Sequence, residues 1–130
     1  MKARRLKIES AADAAMASVV ARKFAQLAGL SAPSCAAFAT AVSELVTNVV
    51  RYAGRGWVTL RVLEGDRAGV EAVVQDRGPG IADLSQAMRE HVSTGGSLGL
   101  GLPGTKRLVD DFEIRSEKGG GTWVRIVKYR

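Results

Sequence analysis

Residues 76 to 101 form a glycine-rich, polar stretch in a chain whose other segments carry regularly spaced apolar side chains. Loops longer than about 15 residues are uncommon in compact domains, and those that occur are usually functional or disordered. The chain of 130 residues is long enough to bury one core. We therefore expect one domain over residues 1–130, with a functional loop between its two regular parts.

Apolar spacing predicts helices before the loop and strands on both sides of it. Positions three and four residues apart indicate two helices, over about residues 11–27 and from Ser31 or Ser34 to Tyr52. Shorter apolar runs bounded by turn residues indicate strands. The predicted strands are residues 6–8, 57–63, 70–75, 112–116 and 122–127, with a short helix over about residues 103–109. This order predicts an α+β fold, a two-layer sandwich with helices packed on one face of a mostly antiparallel sheet.

Glu44 and Asn48 are the first candidate site residues. They lie four residues apart in the second predicted helix, so their side chains share one face, which differs from the face of Leu45 and Val49. A carboxylate and an amide oxygen in this arrangement can hold Mg²⁺, and the carboxylate can act as a base. The same spacing also occurs on helix faces that contact only water, so the pair alone leaves both interpretations open.

The segment Asp76-Arg77-Gly78-Pro79-Gly80 directly follows a predicted strand. An ionised aspartate only accepts hydrogen bonds, and it can accept one from the exocyclic amine of adenine. Gly78 and Gly80 lack side chains, which lets a purine ring approach the backbone. Asp, Gly and Pro are also the usual residues of a tight turn, so the segment alone indicates either an adenine site or a turn.

A second glycine-rich segment, residues 95–101, lies directly before the short predicted helix. Backbone amides without neighbouring side chains can bind phosphate at such a position. Residues 99–104 also match the dinucleotide-binding fingerprint, but the preceding HVSTGGS makes a poor strand, so the required context is missing. The segment is not a P-loop either, because Gly104 is followed by Thr105 and Lys106.

Gly121 and Thr122 open the last predicted strand. A threonine hydroxyl there can face a purine pocket directly or through water, although a β-branched residue after a turn is also an ordinary start of a strand. None of these four signals is specific alone. Their order along the chain, each on an element that suits it, is more specific than any one of them.

Composition restricts the classes of partner. The net charge is +6, from 19 basic and 13 acidic residues, which allows an anionic partner. The basic residues are scattered and form no stripe with aromatic residues along the sequence, so we do not expect nucleic acid to bind. No apolar run approaches the roughly 20 residues that cross a bilayer. Cys35 is the only cysteine, which excludes an intramolecular disulfide, and the whole pattern predicts a cytoplasmic protein without membrane contact.

With these residues in view, the sequence resembles the GHKL ATPases, the superfamily of gyrase B, Hsp90, MutL and the sensor histidine kinases. Glu44 and Asn48 match its N box, Asp76-x-Gly78-x-Gly80 its first glycine box, and Gly99-x-Gly101 its second. The resemblance implies the Bergerat-type ATP-binding fold, ATP and Mg²⁺ as cofactors, and an ATP lid over roughly residues 81–98. It also implies Glu44 as the catalytic residue and Asn48 as the magnesium ligand. The implied ATP-binding residues are Asn48, Asp76, Gly78, Gly80, Gly95, Gly96, Gly99, Leu100, Gly101 and Thr122.

Within the superfamily, the sequence is similar to the short bacterial partner-switching kinases of RsbT type and to the RsbW and SpoIIAB anti-sigma factor kinases. The stretches AVSELVTNVVRYAGRG, DRGPGI and STGGSLGLGLPGTKRLVDDFEI carry this similarity. It implies an ATP-dependent serine/threonine protein kinase that phosphorylates a STAS-domain protein, with a PP2C-type phosphatase or a sigma factor as second partner. The alternative is a nucleotide-controlled binding module, an anti-sigma factor with little or no phosphotransfer. His91, the only histidine, lies in the implied lid, so histidine autophosphorylation is not expected.

Overall fold

The computed structural model describes residues 2–81, 83, 87–88 and 101–130. In this part of the chain, the strands are β1 (Arg4–Ile8), β2 (Gly56–Leu63), β3 (Gly69–Asp76), β4 (Asp111–Ser116) and β5 (Thr122–Tyr129). The helices are α1 (Ala11–Leu27), α2 (Ala32–Asn48) and α3 (Gly101–Arg107), and a π-helical turn over Val49–Ala53 continues α2. Helices and strands therefore follow one another in the order that the apolar spacing predicted.

Both long helices begin at serine caps. The Ser10 side chain accepts a hydrogen bond from the Asp13 amide at 3.1 Å, and the Ser31 side chain accepts one from the Ser34 amide at 3.3 Å. Each bond satisfies an amide that the first helical turn leaves without a backbone partner. Pro33 lies in the first turn of α2, where its missing amide hydrogen costs nothing. Of the two serines that the sequence allowed, Ser31 is therefore the cap.

The strands form one sheet in the order β1-β2-β3-β5-β4, and every neighbouring pair is antiparallel. Side chains alternate between its two faces. Val58, Val74 and Val124 lie opposite one another on the three central strands, and all three are buried under α1 and α2. The predicted α+β sandwich with a mostly antiparallel sheet is confirmed.

The core lies between this inner face of the sheet and the two long helices. Phe38 and Val42 of α2 are fully buried, as are Leu60 of β2 and Ile126 of β5. Burying a side chain of this kind contributes about 1.5–3 kcal/mol, so the inner face is the main source of stability. Within the described residues, no helix combines the length and apolar character that crossing a membrane requires.

The π-helical turn is a local feature that the sequence did not predict. The apolar spacing indicated a helix running to Tyr52, whereas the α-helical part ends at Asn48. The Gly54 amide donates a hydrogen bond to the Val49 carbonyl, five residues back, at 2.9 Å. Gly54 has φ of 87°, which lies outside the helical range, so the helix ends there. Glycine suits this position because residues with a Cβ rarely adopt that conformation. π-helical turns are rare and often lie at functional sites.

Candidate functional site

Helix α2 carries Glu44 and Asn48 one turn apart, and both side chains are partly exposed. The neighbouring apolar side chains Leu45 and Val49 are buried in the core. The helix therefore turns its apolar stripe to the sheet and holds a carboxylate and an amide at the margin of that stripe. This arrangement is the one that the spacing of the two residues predicted.

The π-helical turn brings the end of α2 against the segment that follows β3. A Cβ on Gly78 would lie 2.5 Å from the Ala53 Cβ and 2.9 Å from the Ala53 Cα. A Cβ on Gly56 would lie 2.8 Å from Val49 Cγ1. Close packing therefore requires glycine at both positions. Close packing is thus a structural reason for glycine at position 78. The sequence analysis had predicted a different reason, an open backbone next to a purine.

Asp76 is the last residue of β3, and its side chain faces the same side of the sheet as the core residue Val74. Its Oδ1 accepts a hydrogen bond from the Gly78 amide at 2.8 Å. This bond fixes the orientation of the carboxylate, which has further lone pairs for a ligand. Asp76 lies opposite Gly56 on one side and Thr122 on the other. Since Gly56 has no side chain, nothing from that position covers the carboxylate.

Ser116, at the end of β4, connects the first glycine-rich segment to the start of β5. Its Oγ accepts a hydrogen bond from the Ile81 amide at 2.7 Å and donates one to the Gly121 carbonyl at 2.9 Å. Thr122 Oγ1 lies 2.8 Å from the same oxygen. Because Ser116 has one hydroxyl hydrogen, which Gly121 receives, the Thr122 hydroxyl is the donor in this pair. Thr122 thereby keeps its own lone pairs, directly beside Asp76.

Ser116 was not among the residues that the sequence analysis singled out. It occupies an inward position of β4, and the other inward residues of that strand, Phe112 and Ile114, pack against the core. A polar residue that interrupts an apolar inward pattern usually has a hydrogen-bonding role, because burying it without a partner costs free energy. That signal was present in the sequence and could have identified Ser116.

Two turns are pressed together at the rim of the site. The Gly119 amide donates a hydrogen bond to the Pro79 carbonyl at 2.6 Å. A Cβ on Gly80 would collide with the Glu117 carbonyl, and one on Gly121 would collide with the Asp76 carbonyl. Both glycines also have positive φ, at 72° and 79°. The glycines of this rim are therefore fixed by packing and backbone conformation together.

Of the second glycine-rich segment, the described residues include Gly101, which begins α3 with φ of 70°. Its carbonyl accepts a hydrogen bond from the buried Thr105 hydroxyl at 2.8 Å. The predicted phosphate-binding residues Gly95, Gly96, Gly99 and Leu100 lie outside the described residues. The structure thus brings the end of α2, the Asp76 segment and Thr122 to one end of the sheet. Of the predicted phosphate-binding residues, Gly101 is the one that it describes.

A family model for the histidine kinase-like ATPase domain matches residues 9–128. The chain belongs to this family. The match spans nearly the whole sequence and includes every element of the fold except β1 and the last residue of β5. The predicted membership in the GHKL superfamily is therefore confirmed, and ATP use is a property that membership implies.

Two curated relatives are similar in sequence to this histidine kinase-like ATPase domain, and one solved structure has the same fold. The serine/threonine-protein kinase RsbT of Bacillus subtilis is 37% identical over 118 residues, which are 90% of this chain and 89% of that protein. An anti-sigma F factor of Heyndrickxia coagulans is 34% identical over 97 residues, 69% of this chain and 66% of the relative. The crystal structure of the RsbU and RsbW domains of a Mycobacterium tuberculosis protein matches with a TM-score of 0.70 at 21% identity. That match covers 98% of this chain and 32% of the other, and it shows the fold alone.

The residues of this histidine kinase-like ATPase domain suit a nucleotide with a magnesium ion. Glu44 and Asn48 offer oxygen ligands, which Mg²⁺ prefers. Among residues 2–81, 83, 87–88 and 101–130, no group of three or more His, Cys, Asp or Glu side chains could hold a metal ion. Mg²⁺ is often bound by one or two protein groups together with substrate phosphates. Two oxygen donors, Glu44 and Asn48, on the helix that packs against the Gly78 segment fit that pattern.

A cavity of about 330 Å³ lies at the same end of the sheet. Asp76, Ser116 and Thr122 line it, together with Gln75 and Trp123, which belong to outward positions of β3 and β5. The cavity therefore opens at the rim of the sheet and toward its outer face. It is not confined to the space between sheet and helices where the Asp76 carboxylate points.

Proposed function

We propose that this histidine kinase-like ATPase domain binds ATP with Mg²⁺ and transfers the γ-phosphoryl group to a serine or threonine of a STAS-domain protein. The prediction of a serine/threonine protein kinase of the partner-switching kind is confirmed by the similarity to RsbT over most of both chains. The STAS-domain substrate is our inference, since partner-switching kinases act on such proteins by the resemblance stated above. Residues 1–130 form, in this proposal, one catalytic domain.

The observation that carries the proposal is the contact between the end of α2 and the segment after β3. Ala53 packs against Gly78, and Gly56 lies between Val49 and Asp76. These contacts hold the helix that carries Glu44 and Asn48 beside the strand end that carries Asp76. A single nucleotide can contact Glu44, Asn48 and Asp76 only if the helix and the strand end lie side by side in this way.

Each predicted site residue has a role in this proposal. Asp76 accepts a hydrogen bond from the adenine amine, and Thr122 lies beside it as a second polar group. Gly78 and Gly80 allow the close contacts with Ala53 and Glu117 that hold this segment next to the purine. Residues 95–101, with Gly95, Gly96, Gly99, Leu100 and Gly101, bind the phosphates. Asn48 holds Mg²⁺, which when bound neutralises charge on the phosphates.

Glu44 is the base in the transfer step. The substrate hydroxyl oxygen forms a bond to the γ-phosphorus, while the bond from that phosphorus to the β–γ bridging oxygen breaks and ADP leaves. The hydroxyl proton goes to the Glu44 carboxylate. Phosphoryl transfer depends mainly on positioning and charge stabilisation, so a small domain whose site is completed by the partner is sufficient.

A second candidate function is supported by the anti-sigma F factors among the relatives. In that case nucleotide binding sets the conformation of the domain, and a sigma factor or a PP2C-type phosphatase is bound with little or no phosphotransfer. The partially exposed Glu44 favours the kinase, because a pure binding module has no use for a base beside the nucleotide.

Incubation with γ-radiolabelled ATP, Mg²⁺ and a panel of purified STAS-domain proteins tests the proposal. We expect one STAS protein to acquire label on serine or threonine, and its Ser/Thr-to-Ala variant to stay unlabelled. A stable complex that forms in ATP without label would favour the binding module. Failure to bind ATP with Mg²⁺ in isothermal titration calorimetry would contradict both functions.

A further inference from the structure

The outer face of the sheet, opposite α1 and α2, carries a row of side chains that crosses all five strands. The register aligns Lys7, Trp57, Gln75, Trp123 and Arg115, one from each strand, in the order of the sheet. In the part of the chain that the structure describes, no helix covers this face. Both tryptophans of the protein therefore stand on the outer face, two strands apart, with Gln75 between them.

Arginines stack on both tryptophans. The Arg5 guanidinium lies 5.0 Å from the ring centroid of Trp57 and the Arg77 guanidinium 5.9 Å, while Arg115 lies 5.1 Å from Trp123. A guanidinium that uses its flat face for stacking keeps its N–H groups at the edge, where they can pair with a carboxylate in two parallel bonds. Arg115 Nη2 also donates a hydrogen bond to Glu113 at 2.7 Å, an exposed pair that leaves the other N–H groups of this guanidinium for a partner. The stacked arginines place positive charge on an aromatic surface that the linear sequence did not reveal.

The outer face has two depressions at its rim. The 330 Å³ cavity at its rim is lined by Gln75, Trp123 and Arg115, and a smaller cavity of about 80 Å³ on the other side of Gln75 is lined by Trp57 and Arg5. Basic side chains outnumber acidic ones here, although Arg61 and Arg125 pair with Glu71, and Arg115 pairs with Glu113. Lys7 pairs with Glu9 beyond the end of β1. The basic residues at outward positions are Arg5, Lys7, Arg61, Arg115 and Arg125, and the acidic ones are Glu71, Asp111 and Glu113.

We propose that this outer face docks an acidic segment of a partner protein. Carboxylates of that segment pair with the guanidinium edges of Arg5 and Arg115, and apolar side chains of the same segment lie in the two depressions beside Gln75. The basic side chains of the face suit acidic groups, and its two depressions suit apolar ones. A segment that alternates acidic and apolar residues therefore complements this surface in charge and in shape.

Two other occupants fit the face less well. A second copy of this chain, in a two-fold dimer, would place the same cationic patch against itself. Nucleic acid usually stacks bases on open aromatic rings, whereas Trp57 and Trp123 already carry arginines on their rings, and Glu113 would face the phosphates. An acidic protein segment needs no open ring face, and its carboxylates can pair with guanidinium edges at positions away from Glu113.

The docking face adjoins the nucleotide site, since Asp76 lines both cavities. Gln75 and Asp76 are neighbours in β3, but their side chains point to opposite faces of the sheet. The proposal therefore does not rest on ATP binding or phosphotransfer.

The two tryptophans provide a direct reporter. In nitrogen-15 labelled protein, both indole N–H signals come from the outer face. The probe is a synthetic peptide of alternating glutamate and leucine without aromatic residues, and its matched control has glutamine in place of glutamate. We expect the glutamate peptide to shift both indole signals at low salt and the glutamine peptide to leave them in place.

Charge-neutralising variants test which arginines bind the peptide. Arg5→Gln with Arg115→Gln is expected to weaken peptide binding at least about tenfold. Arg22→Gln with Lys23→Gln, a pair of exposed residues on α1, removes the same charge elsewhere and is expected to leave binding unchanged. Unshifted indole signals, or equal weakening by both pairs, would overturn the proposal. Indole shifts caused by oligothymidine alone would assign the face to nucleic acid, and shifts caused by raising the protein concentration would assign it to self-association.

Discussion

Gly78 packs directly against Ala53, so the turn after β3 and the π-helical end of α2 form one continuous contact. The space for a Cβ on Gly78 is already filled by the Ala53 side chain and backbone. This contact joins the two parts of the candidate site, the helix with Glu44 and Asn48 and the strand end with Asp76.

Gly78→Ala is expected to lower the free energy of unfolding by about 1–3 kcal/mol, because the added methyl group forces α2 and β3 apart. The same displacement should weaken ATP binding. Gly120→Ala is the matched control, since a Cβ there would meet nothing nearer than the Glu117 Cβ at 3.4 Å. Denaturant unfolding curves measure the stability of both variants. Equal stability of Gly78→Ala and Gly120→Ala would show that the contact is unimportant.

Asp76→Asn is expected to weaken ATP binding about 10- to 100-fold, since hydrogen bonds to charged groups are worth about 1.5–3 kcal/mol. Asparagine retains an oxygen that can accept the Gly78 amide, so the fold should change little. Calorimetric titration with ATP and Mg²⁺ measures the affinity. The control is Asp66→Asn in the exposed β2–β3 turn, and ATP affinities that match in both variants would exclude the assigned adenine contact.

Glu44→Gln is expected to bind ATP nearly as well as the wild type and to transfer phosphate about 10²–10⁴-fold more slowly, because a positioned base is lost. Single-turnover labelling of the STAS partner measures the rate. The control is Glu64→Gln, an exposed glutamate directly after β2. A rate unchanged by Glu44→Gln would remove Glu44 as the base while leaving the nucleotide site intact.

Glu71→Gln is expected to destabilise the fold by about 1–2 kcal/mol, because both oxygens of this buried carboxylate are paired. Its Oε1 lies 2.7 Å from Arg61 and its Oε2 lies 2.7 Å from Arg125. The loss stays moderate, since the Arg61 side chain is 53% exposed and water can replace its partner. Glu113→Gln, which breaks an exposed pair with Arg115, should cost less than about 1 kcal/mol.

Tyr129→Phe is expected to reduce stability at neutral pH and to matter less in strong alkali. The Tyr129 hydroxyl donates a hydrogen bond to Asp111 at 2.6 Å, and this bond raises the pKa of Tyr129 above the usual 10.0. A pKa that is higher in the folded state gives stability that is complete below pH of about 10 and is lost as the pH rises through the raised pKa. Unfolding curves of both proteins between neutral pH and pH of about 11 test this, and a constant difference across the range would contradict it.

Local structure could be predicted from the sequence because it depends on nearby residues. The spacing of apolar positions predicted α1 with its observed bounds, and it limited the cap of α2 to Ser31 or Ser34, of which Ser31 is the cap. Strand order could not be obtained this way, since the placement of β5 between β3 and β4 depends on contacts between residues far apart in the chain. The arginine–tryptophan row was hidden for the same reason.

The candidate site shows the same division. Glu44, Asn48, Asp76 and Gly78 stand in short motifs, so residue types and spacing were sufficient to select them. Ser116 belongs to no motif, and its role appears only when Ile81 and Gly121 are brought to it by the fold. The roles assigned to Gly95, Gly96, Gly99 and Leu100 stay predictions.

The five-residue π-helical turn also fixes the length of the chain between Asn48 and Gly54. Successive residues of an α-helix differ by about 100° around its axis. Removing one residue here would restore ordinary α-helical geometry. It would also rotate Ala53 away from Gly78 by about 100°, whichever of the five residues was removed. The β2–β3 hairpin, by contrast, ends in an open turn around Gly65, where a Cβ would meet nothing within 4 Å. Insertions and deletions should therefore be tolerated at the hairpin tip and rejected at the end of α2.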